Sequence, residues 1–284
     1  MRYGSVCSGV EAASLAWGKL GWQPVFFSEV EPFPCAVLHH RFGASRPLHG
    51  VGNTNWDKQN NKLPLEGTIP NDGDFTKIGD KYAGKIDILA GGTPCQSFSI
   101  SGNRAGLGGV SGLALDFIEL AYKSKAKWVV WENVPGIFSS NGGRDFTAFL
   151  SGLAGQQIDV PVKGWKTAGL VRNVRTDRYG LAWRVLDAQY VRVDGFPHAI
   201  PQRRRRVFVV GYFGDWRRAA EVLFEPKGLL GDTKPRRIKR EKLASSSESG
   251  IDLTKWCNGG NVADTLTVAS NDQFMPDKSR LQCV

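Results

Sequence analysis

Three short stretches carry side chains able to do covalent chemistry. In "DILAGGTPCQSFSISG" (87–102) an apolar run from Ile86 to Ala90 stops at two glycines, a proline and Cys95, then gives way to serine and glycine. A strand that ends so abruptly presents its last side chains at the rim of a fold. A thiolate there is a strong nucleophile when neighbouring donors or cations lower its pKa. Most lone cysteines are small core hydrophobes, so the neighbours decide. One neighbour is "WVVWENVPG", which sets Glu132 and Asn133 at the end of the next apolar run. Adjacent parallel strands finishing on the same edge would bring Cys95 and Glu132 to one crevice. The other is "IPQRRRRVF", where strand alternation sends Arg204 and Arg206 to one face and Arg203 and Arg205 to the other. A basic run is ordinarily a solvated or anion-binding surface, but four arginines entering the apolar "VFVVG" hold part of that charge against buried structure.

A second group of residues suits binding. "SVCSGVEAASLAW" puts a glycine between an apolar run and a helical one, where backbone amides can approach a ligand, although the spaced triple glycine of a dinucleotide fingerprint is absent. "PVFFSEV" ends in Glu29, a carboxylate able to grip the two hydroxyls of a ribose or simply to be solvated. "GDFTKI" adds Asp74, able to accept a hydrogen bond from an exocyclic amine. The three together describe an adenosine-shaped crevice better than any one alone.

Positioning these residues takes an α/β sheet. "YGSVCSG", "PVFFSEV", "DILAGG" and "WVVWENV" read as short strands, each with a turn and a helix-like segment behind it, and "RRVFVVGYFG" as a further strand. "EAASLAWGKLG" and "LALDFIELAYKSKA" have apolar residues at helical spacing, with Gly21 placed to stop the first. The polar, proline-bearing stretch from Gly50 to Asp72 reads as a long surface loop. After Phe213 the pattern weakens, and "KPRRIKREKLASSSESG" reads as an exposed basic arm running into a linker, with a boundary near residue 213.

Composition bounds the rest. At 284 residues the chain can bury a full core. No apolar run approaches the roughly 20 residues of a membrane span, and the start "MRYGSVCSGVEAA" lacks a signal peptide's charged-then-apolar build, so a cytoplasmic protein with no membrane partner is expected. Cys7, Cys35, Cys95, Cys257 and Cys283 are scattered and odd in number, which supports neither a disulfide framework nor a CxxC metal site. The formal charge is +10, and from Pro201 to Lys242 thirteen Lys or Arg face five acids, which suits a polyanion such as nucleic acid or a solvated basic surface.

Taken in order, the motifs resemble the cytosine-5 DNA methyltransferases, particularly the short bacteriophage and prophage members, over roughly residues 3–213. "GGTPCQSFSISG", "WENVPG" and "PQRRRRVFVVG" carry the resemblance. It implies a doubly wound, Rossmann-like α/β fold that binds S-adenosylmethionine and releases S-adenosylhomocysteine. Residues 1–213 would be the catalytic domain, 214–284 a short target-recognition region, and double-stranded DNA the partner. On this resemblance Cys95 is the nucleophile that adds to C6 of a flipped-out cytosine, and Glu132 binds N3 and the exocyclic amine. Arg204 supports the reacting base and Arg206 helps hold it. Gln96 to Gly112 corresponds to a loop that closes over DNA. Around the cofactor, Glu29 matches the ribose ligand and Asp74 the partner of the adenine amine, while Val30 and Phe75 flank the ring. Cys7, Gly9, Val10 and Glu11 match the turn near the methionine end, and Leu113 a later contact.

The chain departs from the family pattern at two places. Ser5, Cys7 and Glu11 replace the usual aspartate, aromatic and second glycine of the opening motif. In "ADTLTV" Asp264 stands where the family has an arginine, and the asparagine-rich final motif is not found, so a second chain supplying it is one expectation. The rival readings are a tRNA methyltransferase sharing this core, a non-catalytic DNA-binding remnant, and a nicotinamide-dependent enzyme with an incidental thiol.

Overall fold

A computed structural model describes residues 1–48, 55–94, 112–191 and 199–224. The elements run β1 (Arg2–Val6), α1 (Ala12–Gly18), β2 (Gln23–Ser28), α2 (Pro32–Phe42), α3 (Asn55–Asn60), β3 (Ile88–Gly91), α4 (Gly112–Ser124), β4 (Trp128–Asn133), α5 (Arg144–Ala154), β5 (Ala168–Val171), β6 (Tyr179–Asp187), β7 (Arg205–Phe213) and α6 (Trp216–Leu223). By contact density the chain divides into two units. One is Met1–Val185 with Val207–Glu225; the other is Leu186–Arg206 with Pro226–Val284.

Among the described residues the strands form one seven-stranded sheet in the order β2-β1-β3-β4-β7-β6-β5. β1 pairs in parallel with both β2 and β3, β3 in parallel with β4, and β7 runs antiparallel to β4. The order reverses at β1, which makes the carboxyl end of β1 the switch point where open α/β sheets hold ligands. All five strands expected from the sequence are present, because strands covered on both faces read as near-continuous apolar runs.

The two faces of β4 show the double covering. Val129 and Trp131 join the main core with Phe117 of α4 and Phe146, Phe149 and Leu150 of α5, whereas Trp128 and Val130 pack with Ala182, Val210 and Ala219 of α6. Trp131 is fully buried and stacks on Phe149 at 4.0 Å between centroids. Full burial of one such side chain stabilises by roughly 1.5–3 kcal/mol, so loss of either ring would cost a large share of a domain's net stability.

One local expectation is borne out and one corrected. The last turn of α1 closes on Gly21, which takes a positive φ of 70° while the Gly21 and Trp22 N–H groups donate to the Gly18 and Trp17 carbonyls at 3.0 and 3.2 Å, a glycine stop at the expected place. The stretch read as a surface loop up to Asp72 is in part interior: Asn60, Asn71 and Asp72 are buried. Phe27 donates its N–H to the Pro70 carbonyl at 2.9 Å and accepts from the Asp72 N–H at 2.8 Å, so residues 70–72 lie along β2 as a single parallel rung. Polar residues and prolines suggested solvent there, but the Pro70 carbonyl and Asp72 N–H find partners on β2 and the Asn71 N–H and carbonyl on Ser45 and Leu48. No helix among the described residues is long and apolar enough to cross a membrane.

Candidate active site

The strand registers build the site. Val6, the last residue of β1, is opposite Ser28 of β2 and Gly91 of β3, and Gly91 is opposite Trp131 of β4. One residue further along each strand, Cys7, Glu29, Gly92 and Glu132 therefore emerge at the same edge of the sheet.

The turn after β1 is tightly folded. Cys7, Gly9 and Glu11 all have positive φ, at 48°, 54° and 63°. For Cys7 and Glu11 that conformation is costly unless the surroundings enforce it. Glu11 is held by its own side chain. It caps α1, accepting the Ser14 N–H at 3.0 Å and the Ser14 hydroxyl at 3.1 Å, and it accepts the Ser5 hydroxyl at 2.7 Å. It is 1% exposed, and burial raises its pKa despite those three donors. Glu11 thus lies under the first turn of α1 with both oxygens engaged, while its neighbour Val10 is 51% exposed.

Glu29 closes the turn from the other side. Its Oε2 accepts the Gly9 N–H at 2.8 Å, and its Oε1 accepts the Val30 and Glu31 N–H groups at 2.8 and 2.9 Å. Only 9% exposed, it is oriented by backbone donors, and Oε2 with a single donor keeps capacity for another. Val30, half-buried, accepts a hydrogen bond on its carbonyl from Asn60 Nδ2 at 2.8 Å. Asp74 accepts the Thr76 N–H at 3.0 Å and so starts the 3₁₀ turn Phe75–Lys77. The Phe75 ring is buried in the main core, against which the half-buried Leu113 of α4 also packs.

Cys7 reports how close these pieces are. Burial, and then the negative charges of Glu29 and Asp74, push its thiol up to about 12. The turn, the β2 tip and the Asp74 segment thus lie near one another, and Cys7 stays a protonated thiol and not a nucleophile. Cys35, buried, donates to the Glu29 carbonyl at 3.3 Å, and its pKa is likewise pushed up to about 12 by burial and by Glu29.

Cys95 and most of the expected closing loop lie outside the described residues; the chain is described up to Pro94 and again from Gly112. The approach to Cys95 is well defined. Trp131 donates its indole N–H to Thr93 Oγ1 at 3.1 Å, and Asn133 Nδ2 donates to the Thr93 carbonyl at 3.1 Å while its Oδ1 accepts the Val134 N–H at 2.8 Å. Asn133 therefore anchors the exit of β3, leaving Glu132 as the acid of the pair at the crevice. A Cβ built on Gly92 would stand 3.2 Å from Glu132 Oε2 and 3.4 Å from the Glu132 carbonyl oxygen, so the carboxylate rests against a bare Cα just ahead of Cys95.

β7 lies beside the end of β4, with Phe208 opposite Glu132 and Val207 opposite Asn133. In the arginine run leading into it the alternation holds: Arg203 and Arg205 are exposed, Arg204 and Arg206 half-buried. Within the second unit the Arg204 N–H donates to Asp187 Oδ1 at 3.2 Å, the Arg204 carbonyl accepts from Ala188 at 3.0 Å, and Arg206 Nη1 donates to the Arg205 carbonyl at 2.8 Å.

Sequence reasoning missed Gly92, Trp131 and Asn71 as contributors. The first two were hidden inside motifs whose reactive members drew the attention, and Asn71 lay in a stretch read as surface loop.

Sequence comparison finds relatives of the chain among known methyltransferases. The chain is 39% identical over 289 residues to a DNA N-6-adenine-methyltransferase of Escherichia phage P1, covering 89% of this chain and 34% of that protein. It is 33% identical over 128 residues to the Type II methyltransferase M.AquIA of Picosynechococcus, covering 45% of this chain and 44% of that protein. It is also 27% identical over 248 residues to the orphan methyltransferase M.SPRI of Bacillus phage SPR, covering 84% and 44%. The chain thus spans between about a third and under half the length of these relatives. The family model of the C-5 cytosine-specific DNA methylases matches residues 1–227, a span that takes in every element described above, and the chain belongs to that family.

Proposed function

We propose that this chain carries the catalytic machinery of a DNA methyltransferase that moves a methyl group from S-adenosylmethionine to C5 of a cytosine flipped out of the duplex. What supports the reading is the common edge: Cys7, Glu29 and Glu132 emerge together at the carboxyl ends of β1, β2 and β4, Asp74 is near Cys7, and the chain runs on from the β3 exit toward Cys95; we take this edge to be an anionic crevice.

The donor set of that crevice fits the cofactor. Two carboxylates and a turn of backbone amides suit a ligand with ribose hydroxyls, an exocyclic amine and a positive sulfur. Glu29 would hold the ribose and Asp74 the adenine amine, with Val30 and Phe75 beside the ring, Leu113 a further contact, and the Cys7–Glu11 turn at the methionine end. When bound, the cofactor supplies a methyl group activated by a sulfonium centre.

The remaining chemistry belongs to the chain. Cytosine C5 is too electron-poor to take a methyl group directly. Addition of the Cys95 sulfur to C6 forms a C–S bond and moves the C5=C6 pair toward C5, which then behaves as an enamine carbon. Glu132 binds N3 and the exocyclic amine and stabilises the charge that develops on the ring. After methylation, loss of the C5 proton to a base restores the double bond and expels the Cys95 thiolate. Arg204 and Arg206 support and hold the extruded base. The basic stretch beyond Phe213 contributes phosphate contacts and target recognition.

The test is direct. Duplex DNA treated with the protein and S-adenosylmethionine should yield 5-methylcytosine on nucleoside mass spectrometry, and a 5-fluorocytosine duplex should become covalently trapped at Cys95. Absence of both products with wild-type protein that binds cofactor would overturn the reading. A second reading is favoured by the name of the phage P1 relative, methylation of adenine at N6. The same digest would then contain N6-methyladenine, no fluorocytosine adduct would form, and Cys95→Ala would retain activity.

A further inference from the structure

We infer that Asn71 is a positioning residue that sets the spacing between Glu29 and Asp74, and so the crevice's preference for an adenine ring. The inference rests on the cofactor reading above. Glu29 and Asp74 come from different segments, the tip of β2 and the turn before Phe75, and nothing in either segment alone fixes their separation. Asn71 bridges them. Its Oδ1 accepts both the Glu29 N–H at 3.0 Å and the Gly73 N–H at 3.1 Å, so one oxygen joins the backbone of one acid to the residue just before the other. Two donors facing one end of the amide require that end to be the oxygen. The other end, Nδ2, points to Cys35 Sγ at 3.5 Å.

Asn71 is itself held in place. It is 0% exposed, its N–H donates to Ser45 Oγ at 2.9 Å, and its carbonyl accepts the Leu48 N–H at 3.0 Å. Ser28 of β2 donates its hydroxyl to the Gly73 carbonyl, a second tie across the same gap. With the Asn71 side chain truncated, the Glu29 and Gly73 N–H groups would be buried without their acceptor. The Phe27 rung to Pro70 and Asp72 would still hold the segment on β2, but the tie from Asn71 to the Glu29 backbone would be gone and the Gly73–Asp74 end less firmly set against the β2 tip.

The predicted signature is selectivity and not merely affinity. S-adenosylhomocysteine and its inosine counterpart differ by an exocyclic amine exchanged for a carbonyl, the group Asp74 would read. A site built around a hydrogen bond to that amine rejects the analogue, on the order of tenfold or more. Titration calorimetry of both ligands should show that preference in the wild-type protein, collapsing toward unity in Asn71→Ala and retained in Asn71→Asp, which keeps an acceptor for both N–H groups. Should the position-71 variants fail to fold, the milder Ser45→Ala, which loosens the same segment, should lower the ratio part of the way. Wild type that binds neither ligand would remove the cofactor reading itself. Wild type that discriminates, with Asn71→Ala (or Ser45→Ala) weakening both ligands equally or neither, would overturn only the role of Asn71.

Discussion

Glu29 Oε2 accepts the backbone N–H of Gly9 at 2.8 Å, so a carboxylate expected to bind cofactor also fastens the turn after β1 to the tip of β2. Glu29→Gln tests both roles. The amide can keep an acceptor toward Val30 and Glu31 only by turning its NH₂ toward Gly9, where two donors then face each other. Loss of a hydrogen bond to a charged group costs about 1.5–3 kcal/mol. Calorimetry should therefore show S-adenosylhomocysteine affinity lowered by roughly tenfold to a hundredfold, with DNA affinity in gel shifts unchanged. Equal affinity in variant and wild type would refute the assignment.

Gly92 provides a way to move Glu132 without touching it. A Cβ at 3.2 Å from Glu132 Oε2 is tighter than ordinary contact, so Gly92→Ala should shift the carboxylate by a few tenths of an ångström and Gly92→Val by more. Displacements of about 1 Å at a reacting centre can lower a rate by about a hundredfold. Methyl transfer under single-turnover conditions should fall modestly in the first variant and severely in the second, with cofactor affinity intact. Wild-type rates in Gly92→Val would show that Glu132 has no part in the chemistry.

Glu11 gives a pH-dependent prediction. Burial holds its carboxyl above the ordinary glutamate value, so the folded chain binds that proton more readily than the unfolded chain. Its contribution to stability is complete below the unfolded pKa of about 4.3 and is lost as pH rises through the folded value. Glu11→Gln has no proton to lose there. The unfolding free energy of wild type minus that of the variant, from urea denaturation at a series of pH values, should fall from about pH 4 upward and then level off. A difference independent of pH would contradict the buried, ionisable position.

Much of this was readable from the chain, for identifiable reasons. The strands that carry Glu29 and Glu132, and the one that leads to Cys95, are buried on both faces, and continuous apolar runs announce such strands without periodicity. The parity of Arg203 to Arg206 followed from strand geometry alone. Other features depend on tertiary partners that no local pattern announces. β6 has a mixed composition and pairs with the short β5 in a region with no clear alternation. Asn71 and Asp72 are polar yet interior, because Ser45 and Leu48 supply backbone partners to the first and Phe27 of β2 to the second. Glu11 matches a cofactor turn by resemblance, but its positive φ turns it beneath α1 toward Ser5 and Ser14.

The register that sets Val207 against Asn133 has a consequence for how the molecule is made. The strand flanking the end of β4 is contributed from far downstream, and joining such distant segments carries a loop-closure entropy that local contacts do not repay in advance. As the chain leaves the ribosome, the first four strands can pair while that flank is still bare, and the sheet is completed beside β4 only after Val207 has been synthesised and docked. Nascent chains arrested before that residue should leave the edge of β4 unpaired and open to protease, and should gain protection there once β7 has emerged and docked.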